Sequence, residues 1–291
     1  MKKILSQIIL LSIVLSLYNC SNAENQQPSN NDLTSINIAS FNLRMDTEKD
    51  GDDAWPNRRE MVNGLIRFHD IDIVGTQEGF KHQLDDILRL SDYAYVGVGR
   101  DDGKDAGEHS AIVYKKNRFD VIEKGNFWFS ETPEVPGKGW DAECCNRICS
   151  WAKLKDKDSN KEFYVFNVHY DHQGKEARKN SSILLMQRIK QIAEGQTVMI
   201  TGDFNAVPDS EPIQLIYNDG RFKDSYKATE QAPYGTLGTT NSFKVDSPMQ
   251  NRIDYVWVTE NVTVNKYGVL NDIQYGHFPS DHFPVMVNVT F

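Results

Sequence analysis

No segment of this 291-residue sequence is rich in lysine and arginine, and acidic residues outnumber basic ones by 41 to 32. The formal net charge of −9 excludes capture of a long polyanion by general charge, because non-specific nucleic-acid affinity comes from neutralising many phosphates. A bound divalent cation or a local basic patch can still reverse the field inside a cleft. After the first twenty residues no stretch is apolar enough to cross a membrane. Cysteine is scarce. Apart from Cys20 there are Cys144, Cys145 and Cys149, and no histidine lies near enough to complete a zinc pattern. Adjacent cysteines rarely bridge each other, so Cys149 with Cys144 or Cys145 is the expected disulfide, with one thiol left over. Repeats are absent as well, which excludes solenoid architectures.

What is present begins with an export signal. Lys2 and Lys3 precede an apolar run from Ile4 to Tyr18, too short to span a bilayer comfortably. The run ends at Leu17-Tyr18-Asn19-Cys20, which resembles a bacterial lipobox. Residues 1–19 are therefore expected to be a signal peptide. Residues 20–34 would be a lipidated flexible tether, poor in apolar periodicity. The expectation is an exported lipoprotein anchored to a membrane through Cys20, at the periplasm or cell surface, and a monomer. Residues 35–291 read as one domain, with 39% hydrophobic and 25% charged residues across the chain, as in ordinary globular proteins.

Within that domain, period-two alternation marks a strand over Ile36 to Phe41. Further strands are predicted at Ile71–Val74, Ala94–Val98, Ser110–Tyr114, Cys149–Leu154, Phe163–Val168, Val198–Thr201, Arg252–Val258, Val262–Val269 and Val285–Phe291. Met61, Val62, Leu65 and Ile66 recur at helical spacing behind Pro56. Ile183, Met186, Ile189 and Ile192 do the same in Lys175–Glu194, which stops at Gly195. Many strands with a few long helices suggest packed sheets flanked by helices.

A second pattern carries the chemistry: five apolar strands adjoin polar, chemically competent residues. Asn42, then Gln77-Glu78, His169-Tyr170-Asp171-His172, and Gly202-Asp203-Phe204-Asn205 each follow a strand, and Ser280-Asp281-His282-Phe283-Pro284 precedes the last one. Any one could be a turn or a cap. Together they supply hard oxygen ligands, amide donors, a carboxylate base and two imidazoles.

In their order these motifs, with Arg252-Ile253-Asp254-Tyr255, resemble the endonuclease/exonuclease/phosphatase superfamily over Ser35 to Phe291. The resemblance implies a deoxyribonuclease I-like α+β fold, a four-layer α/β/β/α sandwich of two mixed sheets flanked by helices. It implies a Mg²⁺ site (Mn²⁺ being an alternative) at Glu78, Asn42 and Asp281, and catalytic roles for Asp203, Asn205, His169, His282 and Asp254. Asp203 would activate the attacking water, Asn205 hold it or a phosphoryl oxygen, and Asp254 orient His282. His169 would touch the phosphoryl group from the other side. Arg44, Arg58, Arg147, His172 and Arg178 lie near the motifs as substrate-binding candidates. The stretch Asp50 to Arg58 and the pair His172/Arg178 resemble members near the deadenylase- and nocturnin-like branch.

The expected activity is a metal-dependent phosphoesterase, with a small or lipid-linked phosphate ester favoured over nucleic acid on grounds of charge. A nuclease is the alternative. A non-catalytic surface binding lipoprotein on the same scaffold would be expected to have lost a ligand, yet Glu78, Asp203, Asn205, Asp281 and His282 all stand in place.

Overall fold

The computed structural model describes residues 33–291, so the signal peptide and residues 20–32 of the tether fall outside the described residues. The tether's expected end is corrected: Thr34 is buried and exchanges backbone hydrogen bonds with Phe291, so it belongs to the domain. None of the described helices is long and apolar enough to cross a membrane. The elements in order are β1 (Ser35–Asn42), a 3₁₀ turn at Glu48–Asp53, α1 (Trp55–Phe68), β2 (Ile73–Gln77), α2 (Lys81–Ile87), β3 (Tyr93–Val96), β4 (Ile112–Lys115) and β5 (Phe119–Trp128). There follow β6 (Ile148–Asp156), β7 (Glu162–His169), α3 (Lys175–Ala193), β8 (Val198–Asp203), α4 (Glu211–Asp219), β9 (Phe222–Asp224), α5 (Ser225–Ala228), β10 (Asp254–Thr259), β11 (Thr263–Val269) and β12 (Val285–Thr290).

Two six-stranded mixed sheets result, β11-β12-β1-β2-β4-β3 and β5-β6-β7-β8-β10-β9. Alternation along β1 shows how the layers form. Ile36 and Ile38 point into a core shared with Phe163, Val165, Met199 and Val256 of the other sheet. Ala39 and Phe41 point outward onto Val62, Leu65 and Ile66 of α1 and Leu84 of α2. On the far side, Phe166 and Ile200 pack on Leu185 and Ile189 of α3 and Ile213 of α4. This is the four-layer sandwich.

The topology also delivers the motifs to one edge. Each sheet holds a single parallel pair, β1 with β2 and β7 with β8, in which Asn42 stands opposite Gln77 and His169 opposite Asp203. β10 runs antiparallel to β8 and starts at Asp254, also opposite Asp203. Between the sheets, the Asn167 amide spans the gap: Nδ2 donates to the carbonyls of Thr76 (2.7 Å) and Ala111 (2.9 Å), and Oδ1 accepts from Gln77 Nε2 (2.7 Å). The approach is close enough that a Cβ on Gly75 would overlap Thr201. A saturated polar bridge of this kind fixes the relative position of the strand ends.

The expected cysteine pairing is corrected. Cys144 bonds to Cys145, and Cys149 is a buried free thiol. Its side chain faces the α3 side of β6, packed with Phe127, Phe129 and Tyr170, while the adjacent pair sits in the loop before that strand.

Candidate active site

Asp203 is the hub. It is buried at the end of β8, and its Oδ2 accepts from Asn42 Nδ2 at 3.1 Å and lies 3.7 Å from His169 Nε2 and 4.0 Å from His282 Nε2. Its Oδ1 accepts from the Asn205 backbone N–H at 2.8 Å. Burial, reinforced by the Asp254 charge and opposed by His282, pushes Asp203 up to about 7.

Glu78 follows β2 at a left-handed φ of 62°, a conformation that costs energy and persists where surroundings impose it. Oε1 accepts from Asn42 Nδ2 at 3.0 Å and Oε2 from the Met45 N–H at 3.1 Å. Burial opposes its charge, but His282 and these donors prevail, and its pKa is lowered. Asn42 thus ties Glu78 to Asp203, while its own oxygen accepts from the Arg44 N–H at 2.9 Å. That arrangement makes Asn42 a donor between two carboxylates, with its oxygen on the Arg44 N–H. Asp281 lies 3.9 Å from Arg44 Nε. Burial, offset by His282 and increased by Glu78, raises its pKa.

His282 Nδ1 lies 2.9 Å from Asp254 Oδ2. Burial alone would discharge the imidazole. The Asp254 charge and hydrogen bond, with Asp203 and Asp281 behind them, outweigh it and hold His282 well above the ordinary range. His169 is the opposite case. Burial and the cations Arg147 and Arg100 hold it well below. Its Nε2 lies 3.0 Å from Arg147 Nη1, and an arginine can only donate, so Nε2 is the acceptor and the ring is neutral. His169 therefore presents an acceptor nitrogen, and not a proton, to Arg147.

The candidate substrate-binding residues separate into two groups. Arg58 is fully buried, and its guanidinium donates to the carbonyls of Leu43 and Pro279 (2.7 Å each), Asp53 (2.6 Å) and Arg44 (3.0 Å). It clamps the loops beside the site and does not face substrate, which corrects its expected place among the substrate-binding residues. Arg147 is also buried, and serves His169, His172 (2.8 Å) and Asp171 (3.4 Å). Arg44 is bidentate on Asp50 yet partly exposed. His172 is exposed, and Arg178 lines a cleft of about 430 Å³ with Lys175, Asn205, Thr240 and Ile253.

Three contributors escaped the sequence reading. Glu108 is buried, takes Arg100 Nη2 at 2.7 Å, lies 3.8 Å from His169 Nδ1, and is pushed by burial up to about 7. Thr239 hydrogen-bonds Asp254. Asp171 accepts from the N–H groups of Gln173 and Gly174. Only Asp171 carried a signal, its place between His169 and His172.

The donor set fits a divalent cation. Ligand atoms of Glu78, His169 and Asp203 lie within 4.8 Å of one another, as do those of Asp203, Asp254 and His282. Burial raises both Asp203 and Asp281, and the Glu78 charge adds to each, a repulsion that a hard cation on these oxygens would relieve.

Fold and site together define a metal-dependent phosphoesterase, an enzyme that hydrolyses esters of phosphate. The chain belongs to the Endonuclease/Exonuclease/phosphatase family, whose model matches residues 39–282. It is similar to an endonuclease/exonuclease/phosphatase family protein of Bacteroides thetaiotaomicron, 43% identical, TM-score 0.86, covering 89% of this chain and 98% of that one. It is also similar to a mannosyl-6-phosphatase of the same organism, 42% identical, TM-score 0.84, covering 88% and 100%. The CCR4-Not complex 3'-5'-exoribonuclease subunit Ccr4 of Aspergillus niger is 24% identical over 316 residues. The match takes in 81% of this chain and 47% of that protein, so the chain spans about half the length of this relative.

Proposed function

We propose that the protein is an exported Mg²⁺-dependent phosphoesterase that hydrolyses a small phosphate ester by in-line attack of a water activated at Asp203. The observation that supports this best is the position of Asp203, one buried carboxylate within 4.0 Å of both imidazoles and bonded to Asn42. A carboxylate so placed can take the proton of the attacking water as general base. Asn205, whose N–H fixes Asp203, orients the same water. His282, kept protonated by Asp254, faces Asp203 with Nε2 and donates to a phosphoryl oxygen as negative charge gathers there. Glu78 and Asp281 would hold the metal ion, which supplies charge neutralisation at the phosphate oxygens.

A sugar phosphate is the substrate class supported by the similarity to a mannosyl-6-phosphatase. Arg44, His172 and Arg178 are the accessible residues at the rim that would orient it. The nuclease reading draws on the similarity to Ccr4, and the charge of −9 argues against it. Purified protein assayed on sugar phosphates, inositol phosphates, nucleotides, sphingomyelin, single-stranded RNA and abasic DNA, with and without EDTA, tests the reading. Metal-dependent turnover of a small ester is expected. Full activity after exhaustive chelation, or turnover of nucleic acid alone, would overturn it. Export and anchoring rest on the Lys2 to Cys20 segment, and Cys20→Ser should release the protein from the membrane fraction.

A further inference from the structure

We infer that Thr239, in the irregular segment before β10, is the positioning residue that fixes both members of the Asp254–His282 pair. Its hydroxyl is saturated in a single arrangement. Oγ1 accepts from the backbone N–H groups of Ile253 (3.1 Å) and Asp254 (3.2 Å), which uses both lone pairs. The hydroxyl proton therefore has one destination, Asp254 Oδ2 at 2.6 Å. That same oxygen takes His282 Nδ1 at 2.9 Å, while Oδ1 has no partner among the described residues. Thr239 thus selects which carboxylate oxygen meets the imidazole and in what orientation.

The backbone of Thr239 holds the other member. Its carbonyl accepts from the N–H of Phe283, next to His282, at 2.7 Å, and its own N–H donates to Asn251 at 2.9 Å. Thr240 forms a bridge with His282. Thr239 is fully buried, so it acts through the pair and not on substrate. With Oδ2 committed to Nδ1–H, the ring orientation is set and Nε2–H is left toward Asp203.

The inference rests on the proposed use of His282 in catalysis, and the test keeps the two apart. Thr239→Val removes the hydroxyl at constant shape, and Thr239→Ser retains it. On the substrate the wild type turns over, kcat should fall on the order of 10- to 100-fold for Thr239→Val with KM within about threefold, and Thr239→Ser should recover most of the loss. In an Asp254→Ala background the Thr239→Val loss should vanish, because no side-chain oxygen remains for the hydroxyl to orient. Independently of any activity, the downfield imidazole N–H resonance of His282 in the NMR spectrum should persist in Thr239→Ser and disappear in Thr239→Val. If Thr239→Val does not fold, Thr239→Ala, which leaves room for a water at the two amides, carries the same comparisons. Equal losses in the Ser variant and the Val or Ala variant, or a resonance that survives in the latter, would overturn the assignment. A lost resonance with unchanged kcat would retain the positioning role and refute the part given to His282.

Discussion

Asp254 Oδ2 lies 2.9 Å from His282 Nδ1, and the two residues come from different elements: Asp254 opens β10 and His282 precedes β12, 28 residues on. A buried carboxylate at the head of an otherwise apolar strand needs a partner, and an imidazolium whose Nε2 points at Asp203 supplies it. The pair therefore holds the proton that the proposed reaction would present to a phosphoryl oxygen.

Removing the charge at constant volume tests this. In Asp254→Asn, His282 loses the largest of the effects that raise its pKa and discharges at lower pH. Turnover at neutral pH should fall roughly 10²-fold, with part recovered on acidification, where His282 protonates unaided. pH–rate profiles of wild type, Asp254→Asn and His282→Ala check it. Additive losses in the double variant would mean that the residues act separately.

Arg58 yields a prediction of a different sort. Its four carbonyl acceptors bind Leu43, Arg44 and Asp53 to Pro279, the loops that carry Asn42 and Asp281. Burial lowers the Arg58 pKa to about 10, so the charge survives at neutral pH. Arg58→Ala strands these carbonyls, and unpaired buried acceptors cost about 1–3 kcal/mol each. Chemical denaturation should show a loss of roughly 3 kcal/mol or more, and kcat should fall through disorder of the metal side. A variant of native stability would refute the clamp.

Much of the site was legible because its residues sit where strands end. Period-two alternation located β1 and apolar runs located β2, β7 and β8, and the polar residues Asn42, Glu78, His169 and Asp203 close those segments. Boundaries slipped where tertiary bonds decide them. β2 was expected from Ile71, but Asp72 is drawn into bonds with Lys115 and Arg118 and the strand starts at Ile73. β3 stops at Val96, before Gly97 at φ 134°. β5 was missed because its exposed middle, Asp120 to Lys124, is largely polar. Glu108 and Thr239 follow no strand end, and only the fold brings them to His169 and Asp254. The start of α3 is likewise held from far away, since Asp141 accepts from the N–H groups of Glu176 and Ala177.

Cys149 gives a chemical check on the corrected pairing. Burial pushes its thiol well above the usual range, so the reactive thiolate is scarce. Native protein should show no fast-reacting thiol toward a disulfide reagent. Mild reduction should release two, Cys144 and Cys145, and denaturation should expose the third. A rapidly labelled Cys149 in native protein would contradict the structure.

His169 makes a prediction about stability and pH whose sign differs from that of His282. Buried beside Arg147 and Arg100, folded His169 binds a proton only well below pH 6.5, while in the unfolded chain it titrates near 6.5. Below that pH the unfolded state holds a proton that the folded state refuses, so stability rises with pH in this window. The contribution is fully present above 6.5 and is lost as pH falls toward the folded value, by about 1.4 kcal/mol per pH unit. His282 has a raised folded pKa, so its contribution is present below 6.5 and lost only as pH rises through that folded value. It adds no slope in the acid window. Asp203 and Glu108, each raised to about 7, add slopes of the opposite sign that both wild type and a His169 variant share. His169→Gln keeps an acceptor for Arg147 and removes the titration. Urea unfolding in EDTA between about pH 5 and 6.5 should therefore give a variant-minus-wild-type stability difference that grows on acidification in favour of the variant. Parallel curves would show that His169 takes up its proton in the folded enzyme as readily as in the unfolded chain, and the Arg147–His169 hydrogen bond would then have to be broken.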